Sequence, residues 1–220
     1  MTLSDARLIE ATIKFVKTEL KHAEGGHDWL HVERVYKNTL LIAKHEKVDI
    51  TVVSLAALLH DIADPKFNNG DETIGPRVAS EFLLKHNTDS EIIEHVTQII
   101  ENMSFKNSFE LNPSFTSKEM EVVQDADRLD AIGAIGIARC FNYGGFKDRP
   151  LYNPKIKPKL NMTKAEYKAA EAPTLNHFYE KLLLLKDKMN TKTGQRIALD
   201  RHKYMEGFLK QFYAECEGNR

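Results

Sequence analysis

The sequence has few of the features that mark several broad classes of protein. Only two of its 220 residues are cysteine, Cys140 and Cys216, and they form no CxxC pair, which argues against a disulfide framework or a zinc ribbon. No window approaches the roughly 20 apolar residues of a membrane span, and residues 1–10 lack the order of a signal peptide. We therefore expect a cytoplasmic protein with no membrane partner.

The charge is balanced, with 31 Lys+Arg against 32 Asp+Glu and a formal net charge of −1. This balance argues against a chain built to coat nucleic acid, so we expect no stable nucleic-acid complex. A chain of this length buries roughly 70% of the surface that its unfolded state exposes. Its stability is therefore expected to come from packing of the hydrophobic core. Because the net charge is close to zero, any basic site is expected to be a local cluster of Lys and Arg.

Apolar residues recur at helical spacing through most of the chain. The pattern predicts helices over residues 5–22, 29–46, 50–63, 76–86, 90–102, 118 to about 141, 163–189 and 193–216. Asp28 and Asp49 are the expected N-caps of the second and third helices. The expected buried stripe of the second helix comprises Leu30, Val32, Val35, Leu40, Leu41 and Ile42. Residues 103–117 and 144–159 read as loops, and the fold class is all-α.

Charged residues at the ends of two apolar segments need compensation. His60 and Asp61 end the most hydrophobic predicted helix, where an unpaired charge would cost several kcal/mol. Asp127 lies with two other aspartates before a run that has no further charge until Arg139. His31 shares a helix face with Val35, four residues on.

A divalent cation would satisfy such side chains together, because it accepts imidazole nitrogen and carboxylate oxygen. His31, His60, Asp61 and Asp127 make a mixed nitrogen and oxygen ligand set. This set suits one Mn²⁺, Fe²⁺, Co²⁺ or Ni²⁺ ion better than Ca²⁺ or Mg²⁺.

Three segments carry this pattern: GHDWLHVERV with His31, ALLHDIADPKF with His60 and Asp61, and VVQDADRLDAIGAIGIAR with Asp127. In type, order and context they resemble the HD-domain superfamily of metal-dependent phosphohydrolases. The later segments FNYGGFKDRPLYNP and NHFYEKLLLLKDKMNTKTG are similar to small stand-alone bacterial HD hydrolases that act on nucleotides. The resemblance implies a helical HD bundle with a C-terminal helical extension. We read residues 1–220 as one HD-type domain, with a metal-binding core at about 20–140 and a loop and C-terminal helices at 141–220.

The resemblance further implies hydrolysis of phosphoester or phosphoanhydride bonds in a small phosphorylated substrate. Nucleotides are the leading class, which makes the protein a nucleoside triphosphate pyrophosphohydrolase or a nucleotidase. Asp64 follows Asp61 by three residues, so both side chains should project from one side of the helix end. In many nucleotide-acting HD enzymes an acid with this spacing orients or deprotonates the attacking water, which makes Asp64 the candidate catalytic residue.

A phosphorylated substrate also needs positively charged side chains to offset its negative charge. Residues 147–159 carry a local excess of four positive charges, and Lys66, Lys147 and Arg149 are the candidate substrate-binding residues. Two alternatives stay open. One is a catalytically silent HD module that binds a nucleotide or a partner, and the other is a dinuclear HD phosphodiesterase or di-iron oxygenase.

Overall fold

Every regular element in the described residues is helical. The computed structural model describes residues 2–23, 28–63, 71, 73–103, 115–160 and 172–219. The α-helices are α1 Leu3–Glu19, α2 Trp29–Ala43, α3 Ile50–Leu59, α4 Ile74–Lys85, α5 Ser90–Asn102, α6 Lys118–Asp130, α7 Gly133–Phe146, α8 Asn176–Glu180 and α9 Lys192–Cys216, and short 3₁₀-helices cover Leu20–His22 and Leu182–Lys188. The all-α prediction is confirmed. No helix among these is both long enough and apolar enough to cross a bilayer.

Two aspartates start the helices that lead to the candidate site. The Asp28 carboxylate accepts a hydrogen bond from the His31 N–H at 2.9 Å, and Asp49 accepts from the N–H groups of Thr51 and Val52 at 2.7 and 3.1 Å. These bonds satisfy N–H groups that have no partner inside the helix. Both predicted N-caps are confirmed.

The chain divides into two compact units, Met1–Asp127 and Arg128–Arg220. In the first unit, α3 packs against α1, α2 and α5, and α4 packs against α5. Residues Thr51 to Leu59 of α3 are all buried, as its nearly continuous apolar sequence requires. The single-domain organisation stays a prediction.

The inner face of α2 differs from the predicted stripe. Leu30 and Leu41 are 56% and 41% exposed, so their predicted burial is wrong. The predicted burial of Val32, Val35 and Ile42 is confirmed, and His31 lies on the same buried line, four residues before Val35 and eleven before Ile42. Leu30 and Leu41 each precede a residue of this line by one position, and that step of about 100° turns them away from the core.

In the second unit, α9 packs against α7 and against the 3₁₀-helix Leu182–Lys188. The predicted continuous helix from 118 to about 141 is wrong, because α6 ends at Asp130 and α7 begins at Gly133. Gly133 has φ of 75°, in the left-handed region that favours glycine, and a Cβ there would lie 3.0 Å from Cγ of Arg201. Asp130 is buried beside this break and pairs with Arg139 at 2.6 Å.

Candidate metal centre

Three elements of the first unit bring the four predicted metal ligands together. His31 lies in the first turn of α2, where Asp28 holds its backbone N–H. His60 is the C-cap of α3, and Asp61 follows it in a turn closed by the Ile62 N–H on the Leu59 carbonyl at 3.2 Å. Asp127 lies near the end of α6. The predicted helix over 50–63 thus ends earlier than expected, and Asp61 projects from the turn after it.

The two imidazole Nε2 atoms lie close to each other and to one oxygen each of Asp61 and Asp127. His31 Nε2 is 3.3 Å from His60 Nε2, 3.4 Å from Asp61 Oδ2 and 3.6 Å from Asp127 Oδ1. His60 Nε2 is 3.5 Å from Asp61 Oδ2 and 4.0 Å from Asp127 Oδ1. Each of His31, His60 and Asp127 offers one ligand atom, and these three atoms are close enough to one another to share a metal ion. They form the one such group in the part of the chain that the structure describes.

One hydrogen bond sets the chemistry of His60. Its Nδ1 lies 2.9 Å from the carbonyl oxygen of Ala57, and a carbonyl can only accept, so Nδ1 carries the proton. In the neutral ring Nε2 then presents a lone pair to His31, Asp61 and Asp127. A histidine that binds a metal is oriented by the same kind of bond from its other ring nitrogen.

The spacing of the His31, His60 and Asp127 atoms suits one divalent ion, because these atoms all lie within 4.8 Å of one another. Ligand atoms held about 2.1 Å from one ion lie roughly 3.0 Å apart at right angles and roughly 3.4 Å apart in a tetrahedron. The closest contacts here are 3.3 to 3.6 Å. His60 Nε2, Asp61 Oδ2 and Asp127 Oδ1 are all acceptors, so their convergence needs either a metal ion or an N–H donor at His31 Nε2.

Burial gives the cluster a closed side and an open side. The side chains of His31 and His60 are 1% and 4% exposed, whereas those of Asp61 and Asp127 are 22% and 41% exposed. The imidazoles are therefore held in the protein interior, and the carboxylates face solvent. Solvent therefore reaches the cluster from the carboxylate side.

Sequence reasoning missed a side chain that ties α6 to α2. The Asn38 amide donates to the carbonyl oxygen of Ala126 at 3.4 Å, next to Asp127. Asn38 follows His31 by seven residues, which places both on the same face of a helix. A polar residue seven positions after His31 was the signal in the sequence that could have identified Asn38.

The four other predicted site residues are Asp64, Lys66, Lys147 and Arg149. Asp64 and Lys66 lie outside the described residues. Lys147 and Arg149 belong to the second unit, where Lys147 Nζ is 5.2 Å from the centre of the Phe146 ring and Arg149 Cζ is 5.8 Å from that of Tyr143. These contacts are typical of cation–π pairs.

Two polar side chains of α5, His95 and Asn102, contact nearby groups. His95 Nε2 lies 2.9 Å from Ser117 Oγ and 3.7 Å from Glu119 Oε2. Asn102 donates its amide to the Gln98 carbonyl oxygen at 2.8 Å. These groups satisfy local hydrogen bonds on α5 and at the start of α6.

Comparison with known proteins accords with this geometry. Residues 29–132, which contain all four clustered side chains, match the model of the HD domain family. A crystal structure of an HD-superfamily hydrolase from Bacillus thuringiensis is 43% identical, with a TM-score of 0.77 over 97% of this chain and 98% of that one. The chain belongs to the HD family.

A second relative is known both as a sequence and as a structure. The uncharacterised protein YpgQ of Bacillus subtilis is 35% identical over 218 residues, which are 98% of this chain and 97% of YpgQ. Its crystal structure in complex with ADP superposes with a TM-score of 0.78 at 32% identity, covering 97% of each chain. The similarity to these two relatives therefore covers nearly the whole sequence, including the part after residues 29–132.

Proposed function

We propose that this HD protein is a divalent-metal-dependent phosphohydrolase that acts on nucleotides, as a nucleoside triphosphate pyrophosphohydrolase or a nucleotidase. The observation that carries the proposal is the convergence of two imidazole nitrogens and two carboxylate oxygens, with the His60 lone pair directed into the cluster. The nucleotide class draws support from YpgQ, whose structure contains ADP.

In the proposed mechanism, His31, His60, Asp61 and Asp127 hold one ion. A divalent ion held there supplies a Lewis acid for a phosphoryl oxygen and makes water more acidic. The Ala57 carbonyl keeps His60 in the tautomer that can bind it, and Asp28 anchors the start of the helix that carries His31. The exposed edges of Asp61 and Asp127 give water and substrate access to the cluster.

Asp64 and the basic residues have proposed roles around this centre. Asp64 accepts the proton of the attacking water or orients that water, as the resemblance to nucleotide-acting HD enzymes implies for an acid three residues after Asp61. Lys66, Lys147 and Arg149 are proposed to offset phosphate charge. We propose one ion per chain, of Mn²⁺, Fe²⁺, Co²⁺ or Ni²⁺, because the described residues contain one suitable group of ligands.

A substrate screen with metal reconstitution tests the proposal. Purified protein stripped of metal is assayed with Mn²⁺, Co²⁺, Ni²⁺ or Mg²⁺ against nucleoside mono-, di- and triphosphates, with phosphate and pyrophosphate detected separately. We expect no turnover without metal and turnover of at least one nucleotide class with Mn²⁺, Co²⁺ or Ni²⁺.

The products then identify the bond that is cleaved. Pyrophosphate release indicates a pyrophosphohydrolase, and phosphate release indicates a nucleotidase. Nucleotide binding without hydrolysis under every metal would contradict the enzyme and favour the silent module. Two tightly bound irons per chain with oxygen consumption would favour the di-iron oxygenase.

A further inference from the structure

The helix that carries Asp127 begins against the helix that leads to His60. One oxygen of the Glu119 carboxylate, Oε1, accepts a hydrogen bond from the backbone N–H of Asp49, 70 positions earlier in the sequence, at 3.0 Å. Glu119 lies in the first turn of α6, and Asp49 is the N-cap of α3. This bond therefore joins the starts of the two helices.

The Glu119 carboxylate is well placed at this junction. Its side chain is 16% exposed, and its second oxygen, Oε2, lies 3.7 Å from Nε2 of His95 on α5. His95 Nε2 also lies 2.9 Å from Oγ of Ser117, which accepts the Met120 N–H at 3.0 Å at the start of α6. Because the N-terminus of a helix favours negative charge, both α3 and α6 stabilise the carboxylate in this position.

The same two helices meet again at the metal centre. Nε2 of His60, the C-cap of α3, lies 4.0 Å from Oδ1 of Asp127 on α6. Asp49 precedes His60 by 11 residues and Glu119 precedes Asp127 by 8, which correspond to about 16 Å and about 12 Å along a helix. Each helix thus connects the Glu119 junction to the metal centre, so the junction helps to set how the helices are aligned at the cluster.

Other side chains hold the second half of α6. The Asn38 amide of α2 donates to the Ala126 carbonyl at 3.4 Å, and the Gln124 amide donates to the carbonyl of Met103, the C-cap of α5, at 3.3 Å. Both contacts lie within one turn of Asp127. A helix that is held near one end can still pivot about that end, so a contact at its start, such as that of Glu119, is needed to fix its axis.

We propose that Glu119 is a positioning residue for the metal centre, which aligns α6 with α3 so that Asp127 meets His60. The inference rests on the proposed function, because it takes the cluster to be a metal site. Glu119 lies about 12 Å along α6 from Asp127, which exceeds the Debye length of about 8 Å at physiological ionic strength. Its charge therefore acts only weakly on an ion in the cluster, and its effect is exerted through the placement of the helix.

The Mn²⁺ affinity of the full-length protein, measured by calorimetry, tests this role. Glu119→Ala removes the acceptor of the Asp49 N–H and should weaken Mn²⁺ binding by about tenfold, as for other groups that support a metal ligand. Glu119→Gln removes the charge and keeps an oxygen that accepts this N–H, so its affinity should stay within about twofold of the wild type. Glu94→Ala removes an exposed carboxylate of α5 and should leave the affinity unchanged.

Two further readouts report the placement of Asp127 itself. The visible absorption bands of bound Co²⁺ depend on the number and arrangement of its ligands. The Co²⁺ spectrum of Glu119→Ala should therefore differ from that of the wild type, and the spectrum of Glu119→Gln should match it. In crystals of metal-free Glu119→Ala, Asp127 Oδ1 should lie farther from His31 Nε2 than the 3.6 Å of the wild type.

The outcomes separate this inference from the proposed function. Equal weakening of Mn²⁺ binding by Glu119→Ala and Glu119→Gln, or wild-type affinity in Glu119→Ala, would overturn the inference even in a protein that hydrolyses nucleotides. Mn²⁺ binding that depends on the Glu119 hydrogen bond, in a protein that hydrolyses no nucleotide, would support the inference and contradict the proposed function. Absence of Mn²⁺ binding by the wild type would overturn the inference together with the metal centre.

Discussion

Asp61→Ala is expected to abolish both metal binding and nucleotide hydrolysis. Asp61 Oδ2 lies 3.4 Å from His31 Nε2 and 3.5 Å from His60 Nε2, so the carboxylate borders both imidazoles of the cluster. Changes to groups that merely support a metal ligand reduce affinity by about 10- to 100-fold, and loss of a direct ligand should exceed about 100-fold. Calorimetric titration with Mn²⁺ measures the affinity, and the nucleotide assay measures turnover.

Two variants separate loss of the ligand from loss of the fold. Asp61→Asn keeps the size of the side chain and removes its charge, so it should also bind Mn²⁺ far more weakly. Glu81→Ala removes an exposed carboxylate of α4 and should bind Mn²⁺ as the wild type does. Wild-type Mn²⁺ affinity in Asp61→Ala would show that this carboxylate is not a ligand.

The Asp64→Ala variant is expected to retain metal binding and to lose most of its hydrolytic activity. Asp64 follows Asp61 by three residues, and the resemblance to nucleotide-acting HD enzymes gives an acid at this spacing a role toward the attacking water. Removal of a general base lowers kcat by about 100- to 10,000-fold. Because Asp64 is not among the proposed ligands, Mn²⁺ affinity should be unchanged. Steady-state kinetics and Mn²⁺ titration on the same preparation measure the two quantities.

The kinetic measurement and the Mn²⁺ titration together distinguish two ways in which the role assigned to Asp64 would be wrong. Full activity in Asp64→Ala would mean that another group activates water. Loss of Mn²⁺ binding together with activity would instead place Asp64 among the metal ligands. Asp64→Asn, which keeps the shape and removes the basicity, should be as slow as Asp64→Ala if the residue acts as a base.

Local signals in the sequence predicted much of the first unit. Asp28 and Asp49 cap α2 and α3 as expected, because a cap depends on hydrogen bonds within a few residues. The polar residues His60 and Asp61 at the end of an apolar segment also indicated a site. In the structure, His60 lies close to His31, Asp61 and Asp127. The tautomer of His60 was not predictable, because it depends on the Ala57 carbonyl and on how α3 ends.

The second unit was harder to predict because long-range contacts shape it. Gly133 can continue a helix or adopt the left-handed conformation that separates α6 from α7, and the pattern alone does not choose between them. The predicted helix over 163–189 is wrong in its described part, where α8 is followed by a 3₁₀-helix. The Thr174 N–H donates to the carbonyl of Pro150, which lies 24 positions earlier in the sequence. This long-range bond holds the residues before α8 in a non-helical conformation.

The central claim is that four side chains of the first unit share one metal ion. Crystals grown with Mn²⁺ and measured at the Mn absorption edge test it most directly. We expect one anomalous peak within about 2.3 Å of His31 Nε2, His60 Nε2 and one oxygen each of Asp61 and Asp127. A cluster that stays empty at saturating Mn²⁺, with His31 bonded directly to the two carboxylates, would contradict it.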